Sequence, residues 1–286
     1  MSAQRQERER WYDRLLLVDR RWIYLAVGLT VVLPFLLPTP FPIGVTPEAR
    51  SLYDAVEALP DGSNVMVVYD YYPAGIPECE PMAIAALHHL FRKNCKVITL
   101  SNIPYGGPSM AERVTRMMGD RYGKVYGVDY VNLGYKYGYV AVLSAMGQSI
   151  ESIFPSDNSG TPLAELPLMD SVKNYSNVDF VFEIADNATA DYWVSIVNAQ
   201  YGVPMGCGGT AVMAPKFYAY VASGQFVGLL GGMRGAAEYE ILIGKEADAV
   251  RGMQAQSLVH LLIIAMVVLG NVGYFMGRAH LRRRAA

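Results

Sequence analysis

Candidate chemistry in this chain comes from acids, amides and hydroxyls that follow apolar runs of strand length. Carboxylate and carbonyl oxygens at such positions suit a hard cation or the hydroxyls of a sugar. In open parallel sheets, ligands bind in the crevice beyond the carboxyl ends of the strands. We therefore predict a ligand-binding crevice lined by Asp70, Ser101, Asn102, Asp186, Asn187 and Thr210.

Helix capping is the alternative role for these residues, and it is the commoner one in α/β folds. In a 3-2-1-4-5 strand order, Asp70 and Asp186 would flank the point where the order reverses. The sequence does not choose between a binding crevice and a set of caps.

The segment Gly206-Cys-Gly-Gly-Thr-Ala211 matches the spacing G-x-G-x-x-A. A dinucleotide fingerprint follows the first strand, opens an unbroken helix and precedes an acid about twenty residues further on. Here the segment follows the last predicted strand, and Pro215 would interrupt a helix. We interpret it as a tight turn or a backbone nest for a small anion, and we predict no cofactor.

Other catalytic and metal-binding signatures are absent from the sequence, which has no G-x-S-x-G, Walker A or H-E-x-x-H motif. His88 and His89 are adjacent, so they point to different sides of a helix, and we expect surface or boundary positions. Cys79 and Cys207 could pair in an oxidising compartment or remain buried thiols, whereas Cys95 lies too far from Cys79. No spacing resembles a zinc site, and the sequence leaves metal binding undecided.

Tyrosine is abundant, with twenty residues. Tyrosine suits contact surfaces because it gives a large area at low entropy cost and carries a polar tip. Some of these residues will instead be half-buried strand and loop positions. The clusters are Tyr69, Tyr71 and Tyr72; Tyr122, Tyr126 and Tyr130; and Tyr135, Tyr137 and Tyr139.

The elements that would position these residues alternate between strand and helix patterns. Thr46 and Pro47 predict a capped helix, and the continuous apolar run from Asn64 to Asp70 predicts a strand buried on both faces. Further strands are predicted at 95–101, 124–132, 178–185 and within 203–213; further helices are predicted at 77–94, from 109, at 139–153 and at 188–200. The pattern indicates an α/β domain with a mostly parallel sheet covered by helices on both faces, Rossmann-like or flavodoxin-like.

Two uncharged runs flank this domain. Ser257–Met276 spans about 30 Å as a helix, the thickness of a bilayer core, and an arginine-rich tail follows it. Trp22–Leu37 is also uncharged and follows an arginine-rich segment. We predict two transmembrane helices, both termini in the cytoplasm and the central domain outside it. A buried core helix and a cleaved signal peptide are the respective alternatives.

The predicted organisation has six parts. They are a basic segment at 1–21, a transmembrane helix at 22–41, the α/β domain at 42–215, a Gly-rich helical segment at 216–256, a transmembrane helix at 257–277 and a basic tail at 278–286. In the Gly-rich segment, Gly224, Gly228, Gly232 and Ala236 recur every four residues. On one helix they would form a small-residue stripe for close helix packing. An irregular Gly-rich loop is the alternative.

Composition limits the function. Residues 45–256 contain 14 Lys and Arg but 22 Asp and Glu, a net charge of −8, so we predict no nucleic-acid partner. The expected partners are the membrane and either further copies of the chain or another membrane protein. Our first hypothesis is a non-catalytic, membrane-anchored interaction or assembly subunit. The alternatives are a domain that binds or senses a small ligand in the crevice, and an envelope hydrolase or transferase.

Overall fold

The computed structural model describes residues 18–36, 42–245 and 247–285. The chain divides into two compact units: Pro42–Val250 is the α/β domain, and Met1–Phe41 with Arg251–Ala286 form the other unit. Most of the predicted basic N-terminal segment, residues 1–17, and the end of the predicted first span, residues 37–41, lie outside the described residues.

The domain contains a six-stranded sheet in the order 3-2-1-4-5-6, in which every neighbouring pair is parallel. This is the Rossmann order, so the structure selects one of the two predicted α/β architectures. The strands are β1 Asn64–Asp70, β2 Lys96–Ser101, β3 Tyr130–Tyr135, β4 Phe180–Ala185, β5 Met205–Gly209 and β6 Leu229–Gly231.

Helices cover both faces of the sheet. The α-helices of the described residues are α1 Arg20–Leu36, α2 Pro47–Glu57, α3 Ile76–Arg92, α4 Gly107–Tyr122, α5 Tyr139–Met146, α6 Ile150–Ile153, α7 Pro167–Ser171, α8 Ala190–Tyr192, α9 Ala199–Tyr201, α10 Ala214–Ala222, α11 Gly232–Leu242 and α12 Asp248–Ala285. A π-helical segment, Trp193–Asn198, joins α8 to α9. Short 3₁₀ turns lie at Pro73–Gly75, Leu163–Glu165 and Tyr175–Asn177.

Several predicted elements need correction. The third strand begins at Tyr130 rather than at residue 124, and the predicted helix 139–153 is two helices interrupted at Gly147. A Cβ at Gly147 would lie 2.0 Å from the Tyr201 ring, so the chain turns where another side chain crosses it. Helix α4 begins at Gly107, ahead of the predicted Ser109 cap. The predicted Thr46 cap of α2 is confirmed, since its hydroxyl accepts a hydrogen bond from Ala49 N.

The two faces of the sheet carry separate cores. Met66 on β1 belongs to the same buried cluster as Trp193 and Phe217. On the opposite face, the Tyr69 hydroxyl lies 3.1 Å from Thr115 Oγ1 of α4. Because successive side chains of a strand point to opposite faces, burial on both faces explains the continuous apolar runs in the sequence.

The glycines of β5 make room for helices, which corrects the interpretation of residues 206–211 as a tight turn. A Cβ at Gly206 would lie 2.1 Å from Leu52 of α2, and one at Gly208 would lie 2.8 Å from Met82 of α3. Gly209 approaches Phe217 of α10 on the other face in the same way. The literal G-x-G match therefore reflects close helix–sheet packing within a strand.

The predicted helix through 216–256 is wrong. Gly224 lies in a turn after α10, Gly228 precedes β6, and Gly232 and Ala236 belong to α11. Strand β6 pairs with β5, so this segment completes the sheet instead of leaving the domain. The close helix packing expected of the glycine stripe does occur at Gly228, where a Cβ would lie 2.4 Å from the Glu48 carbonyl oxygen of α2.

Two buried acids on α11 hold the points where the chain enters and leaves the domain. Glu238 accepts hydrogen bonds from Thr46 N (3.0 Å) and from Arg234 Nε (2.8 Å). Glu240 accepts three, from the backbone N–H groups of Ala247 (2.9 Å), Ala249 (3.1 Å) and Val250 (3.0 Å). These N–H groups lie at the start of α12, where the helix dipole also favours a carboxylate.

Among the described residues, one helix is long and apolar enough to cross a membrane, the segment Asp248–Arg278 of α12. Its 31 residues extend for about 45 Å as a helix, more than the bilayer core requires. Many of its apolar side chains, such as Ile264 and Val267, are exposed. Helix α1 has 17 described residues and contains Pro34, and the first predicted span stays a prediction.

Candidate functional site

Asp70 lies at the end of β1 and is fully buried. Its Oδ1 accepts a hydrogen bond from Asn102 N at 2.6 Å, and its Oδ2 accepts one from Asn102 Nδ2 at 2.8 Å. The Ser101 hydroxyl lies 3.2 Å from Oδ1, and Asn187 Nδ2 donates to the Asp70 carbonyl at 2.7 Å. Burial raises the pKa of the Asp70 carboxyl, while the Asn102 and Ser101 donors oppose that shift. Asp70 therefore links the ends of β1 and β2 and the loop after β4.

Asp186 follows β4 and reaches across the reversal point of the sheet to the turn after β1. Its Oδ2 accepts a hydrogen bond from Tyr72 N at 2.8 Å. A Cβ at Gly75 would lie 2.7 Å from the same oxygen, so this glycine makes room for the carboxylate. In dinucleotide-binding Rossmann folds, the corresponding turn and helix N-terminus hold a pyrophosphate. Here a carboxylate of the protein itself accepts a hydrogen bond from an N–H of that turn.

Thr210 lies apart from the other five predicted residues, after β5. Its carbonyl accepts hydrogen bonds from Met213 N and Ala214 N, which start α10. The neighbouring Ala211 N donates to Glu78 Oε2 at 2.8 Å. The Ala211 N–H, part of the predicted anion nest, therefore binds the carboxylate of Glu78, a residue of the same domain. The structure joins the other five predicted residues in one network, and their role in ligand binding stays a prediction.

Glu183 is a buried acid that the sequence interpretation missed. It lies on β4 opposite Val68 of β1, and Thr189 Oγ1 donates to its Oε1 at 3.2 Å. Within the described residues, Glu183 Oε2 and Trp193 Nε1 have no hydrogen-bond partner. Burial, and secondly the charge of Asp70, raise the pKa of Glu183 well above its ordinary value. The available signal was an acid in the middle of the apolar run 178–185.

The helix beside this acid is irregular. Trp193–Asn198 is π-helical and continues α8 directly into α9. Such insertions are rare and occur often at functional sites. Trp193, the first residue of the segment, is fully buried.

Tyrosines from four successive strand ends gather around this network, and we call them the tyrosine rim. Tyr137 and Tyr105 are 86% and 74% exposed. The rings of Tyr139 and Tyr192 lie 5.5 Å apart. Burial and neighbouring groups, including Tyr72, raise the pKa of Tyr139. The tyrosine rim consists of Tyr72, Tyr105, Tyr135, Tyr137, Tyr139 and Tyr192.

The structure divides the sequence clusters of tyrosine between core and surface. Tyr69 and Tyr71 are fully buried, whereas Tyr72, next in the chain, belongs to the rim. Three rim tyrosines lie between the end of β3 and the start of α5, where Gly134 and Gly138 have φ angles of 78° and 114°. These left-handed conformations favour glycine, which explains the alternation of glycine and tyrosine in that segment.

The histidine and cysteine expectations are partly wrong. His89 is fully buried: its Nε2 lies 2.6 Å from Glu57 Oε2 and its Nδ1 lies 2.8 Å from the Tyr239 hydroxyl. Burial lowers the pKa of His89, while the Glu57 carboxylate opposes that shift. The ring links α2, α3 and α11. Cys79 and Cys207 are both buried free thiols, so the disulfide alternative is wrong.

No metal-binding group is evident in the described part of the chain, where no three His, Cys, Asp or Glu side chains are placed to share an ion. A separate cleft of about 210 Å³ lies beside the start of α3. Two of its acids already have partners, since Glu80 pairs with Arg113 and Glu240 binds the first turn of α12. The cleft is lined by Ile76, Pro77, Glu80, Pro81, Ile84, Glu240, Ala247 and Asp248.

Comparisons with known proteins do not place the chain in a family. No protein-family model matches it, and no curated protein matches it. Among solved structures, it is similar to a trehalose-6-phosphate synthase, OtsA, with 11% sequence identity and a TM-score of 0.31. The match covers 82% of this chain and 46% of that one, so this chain spans under half the length of the synthase. A similarity this distant carries no argument about function.

Proposed function

We propose that this chain is a membrane-anchored interaction subunit whose α/β domain binds another protein through the tyrosine rim. The observation that carries the proposal is the exposure of tyrosines from four strand ends on one edge of the sheet. Rigid strands fix where these loops begin, and loops at this edge are where α/β domains bind their ligands.

The composition of the rim loops supports a protein partner. The segment 132–139, from the end of β3 to the start of α5, reads Asn-Leu-Gly-Tyr-Lys-Tyr-Gly-Tyr. The segment from the end of β2 into the first turn of α4 contains Asn102, Tyr105, two glycines and Ser109. Antibody binding loops are enriched in the same residue types, because tyrosine gives rigid contact area while serine, glycine and asparagine adapt. Of these side chains, Tyr105 and Tyr137 are exposed and available for contact, and tyrosine is the residue type that dominates such binding loops.

The crevice residues favour docking over catalysis or capture of a small ligand. Asp70, Ser101 and Asn102 are buried and bonded to one another, and Asn187 holds the Asp70 carbonyl. Their hydrogen bonds brace the loops that display the rim. We therefore rank protein docking ahead of a small-ligand site and ahead of an envelope hydrolase or transferase.

The proposal includes the topology derived from the sequence: two spans, both termini in the cytoplasm and the domain outside it. Its support is the arginine bias at both ends and the candidate span in α12. Single cysteines at positions 3, 158 and 285 test it in intact cells. The three native cysteines are buried, so they give little background labelling. Position 158 should react with an impermeant maleimide and positions 3 and 285 should not; the opposite pattern refutes the topology.

Site-specific photo-crosslinking in native membranes tests the docking surface. A photoreactive phenylalanine analogue replaces Tyr105 or Tyr137 in the rim, and in the matched control it replaces Tyr218, an exposed tyrosine on α10. We expect the two rim positions to yield the same crosslinked protein and the control to yield none. Equal crosslinking from all three positions would contradict docking at the rim, and a crosslink to a second copy of the chain would make the interaction self-assembly.

A further inference from the structure

We infer that helix α12 pairs in the membrane with α12 of a second copy of this chain, through the side of the helix that carries His260 and Asn271. The inference rests on the proposed topology, in which α12 spans the bilayer, and it is independent of the tyrosine rim. It follows from the positions of two polar side chains in the apolar run 257–276.

One side of helix α12 is partly covered within the structure. The helix is continuous from Asp248 to Ala285. Between residues 259 and 277, its buried and half-buried positions recur every three or four residues, which is the repeat of one helix face. They are Val259, Leu262, Met266, Gly270, Gly273 and Gly277. The opposite side is therefore the one that meets the surroundings of the helix.

This open side of α12 carries the polar residues. His260 and Asn271 are both exposed, and they are eleven residues apart, which is close to three full helical turns. They therefore lie on one line along the helix. Ile264 and Phe275, on the same side, are 58% and 63% exposed. We call this side the polar face of α12, and its residues are His260, Ile264, Val267, Asn271 and Phe275.

Asn271 has hydrogen-bonding groups that lipid does not satisfy. It lies five residues before Met276, the end of the apolar run, so its depth below the membrane boundary is about 7 Å. Its Nδ2 donates to the Val267 carbonyl at 2.9 Å, within the same helix. A primary amide has a second N–H and a carbonyl oxygen, and hydrocarbon offers neither an acceptor nor a donor. These groups require a polar side chain from another helix.

Helix α1 does not supply that side chain at the depth of Asn271. With its N-terminus in the cytoplasm, α1 reaches a depth of about 7 Å near Val27, five residues after Trp22. Val27 and its neighbours in the chain have no polar side chain. Thr30, about one turn further, already donates its hydroxyl proton to the Ala26 carbonyl at 2.6 Å. We therefore place the partner of Asn271 in another chain.

A second copy of α12 supplies matching groups at both depths. In a two-fold pair of parallel helices, each residue near the axis meets its own counterpart at the same depth. Asn271 then faces a second amide, and the two exchange N–H···O bonds because an amide is both donor and acceptor. His260 likewise faces a second imidazole. A partner of different sequence would need two polar residues at the same three-turn spacing, whereas a second copy has them by symmetry.

Disulfide crosslinking in membranes tests which side of α12 meets the second copy. A single cysteine replaces Ile264 on the polar face or, as the matched control, Leu269, which is 48% exposed on another side. The three native cysteines are buried, so an added oxidant acts on the introduced thiol. We expect a covalent dimer of the full chain from Ile264→Cys. We expect none from Leu269→Cys, since a disulfide needs Cα atoms within about 7 Å of each other.

Association in lipid measures the contribution of Asn271. The full chain carries a donor or an acceptor dye at a cysteine introduced at residue 158, an exposed turn position, and energy transfer is followed as phosphatidylcholine dilutes the protein. Asn271→Leu should raise the dissociation constant about fivefold or more, because a symmetric pair loses two interhelical hydrogen bonds. Val272→Leu, the same replacement at the next position and off the polar face, should associate like the wild type.

Equal crosslinking from the two cysteine positions, or equal dissociation constants for Asn271→Leu and the wild type, overturns the pairing. Labelling with the impermeant maleimide separates this result from a failure of the topology. If position 158 reacts from outside and position 285 does not, while Ile264→Cys stays monomeric, the topology stands and the pairing is wrong. If both positions react from outside, α12 does not span the membrane, and the topology and the pairing are refuted together.

Discussion

Two pairs of buried carboxylates in this domain differ in how completely their oxygens are hydrogen-bonded. On α11, Glu238 and Glu240 accept six hydrogen bonds between them, including three from backbone N–H groups at the start of α12. On neighbouring strands, Asp70 is fully bonded, but Glu183 leaves one oxygen without a partner within the described residues. Burial of a carboxylate is tolerated when its oxygens meet donors. The comparison separates Glu238 and Glu240, whose carboxylate oxygens all have donors, from Glu183, which has one oxygen without a donor among the described residues.

The largest effect should come from Glu240, the α11 acid with the most backbone donors. Replacing Glu240 by alanine leaves three backbone N–H groups at the start of α12 without their acceptor, and we expect a loss of about 3 kcal/mol of stability. Thermal unfolding of the detergent-solubilised chain measures this loss. Hydrogen exchange at residues 247–250 should accelerate at the same time.

Glu240→Gln is the matched control, because its one remaining carbonyl oxygen can keep part of the network. It should lie between the wild type and the alanine variant. If the alanine variant melts like the wild type and exchange at 247–250 is unchanged, water replaces the carboxylate without cost and the fastening role is wrong.

An intermediate effect should distinguish the two acids of the crevice. Asp70→Ala removes the acceptor of two Asn102 N–H groups in a fully buried site, for an expected loss of about 2 kcal/mol. Asp186→Ala removes one backbone contact from a half-buried site, for a loss of about 1 kcal/mol. Urea unfolding of both variants under one condition gives the comparison. Equal losses would show that Asp186 is as structural as Asp70 and would end the distinction between the two crevice acids.

The sequence predicted the parts of the fold that depend on local chemistry. Thr46 with Pro47 located the start of α2, and the apolar run from Asn64 to Asp70 is β1. Strand β6 was missed because three residues, two of them leucines between glycines, are too few to show a period. The four-residue spacing of Gly224, Gly228 and Gly232 matched a helical repeat by coincidence. Gly224 and Gly232 have positive φ angles, and Gly228 lies where a Cβ would collide with α2.

The candidate site was predictable in position but not in arrangement. Strand ends located Asp70 and Asp186, and the 3-2-1-4 order does place them on either side of the reversal point. Their binding to neighbouring donors depends on register and side-chain direction, which the sequence does not contain. The tyrosine rim likewise requires the strand order, since its members lie up to 120 positions apart in the chain, from Tyr72 to Tyr192. Glu183 was overlooked because a single acid leaves an apolar run recognisable as a strand.

The smallest effect, and the most specific, should come from Glu183→Gln as the pH changes. The folded state raises the pKa of this carboxyl above its ordinary value of 4.5 and so holds the proton more tightly than the unfolded chain does. The stability that Glu183 contributes is therefore complete below about pH 4.5 and is lost as the pH rises through the folded pKa. Glutamine has the shape of the protonated acid and does not titrate, so the variant avoids that loss.

We expect the stability of Glu183→Gln relative to the wild type to increase from pH 5 to pH 8 by on the order of 1 kcal/mol. The difference between the two melting temperatures, measured across this pH range, reports the change. Glu165→Gln, which alters an exposed acid, provides the control and should show no such trend. A difference that stays constant with pH would mean that Glu183 is ionised and fully solvated or bonded, as the α11 acids are. In that case the two pairs of buried acids do not differ, and the oxygen of Glu183 that lacks a partner among the described residues does not distinguish it from Glu238 and Glu240.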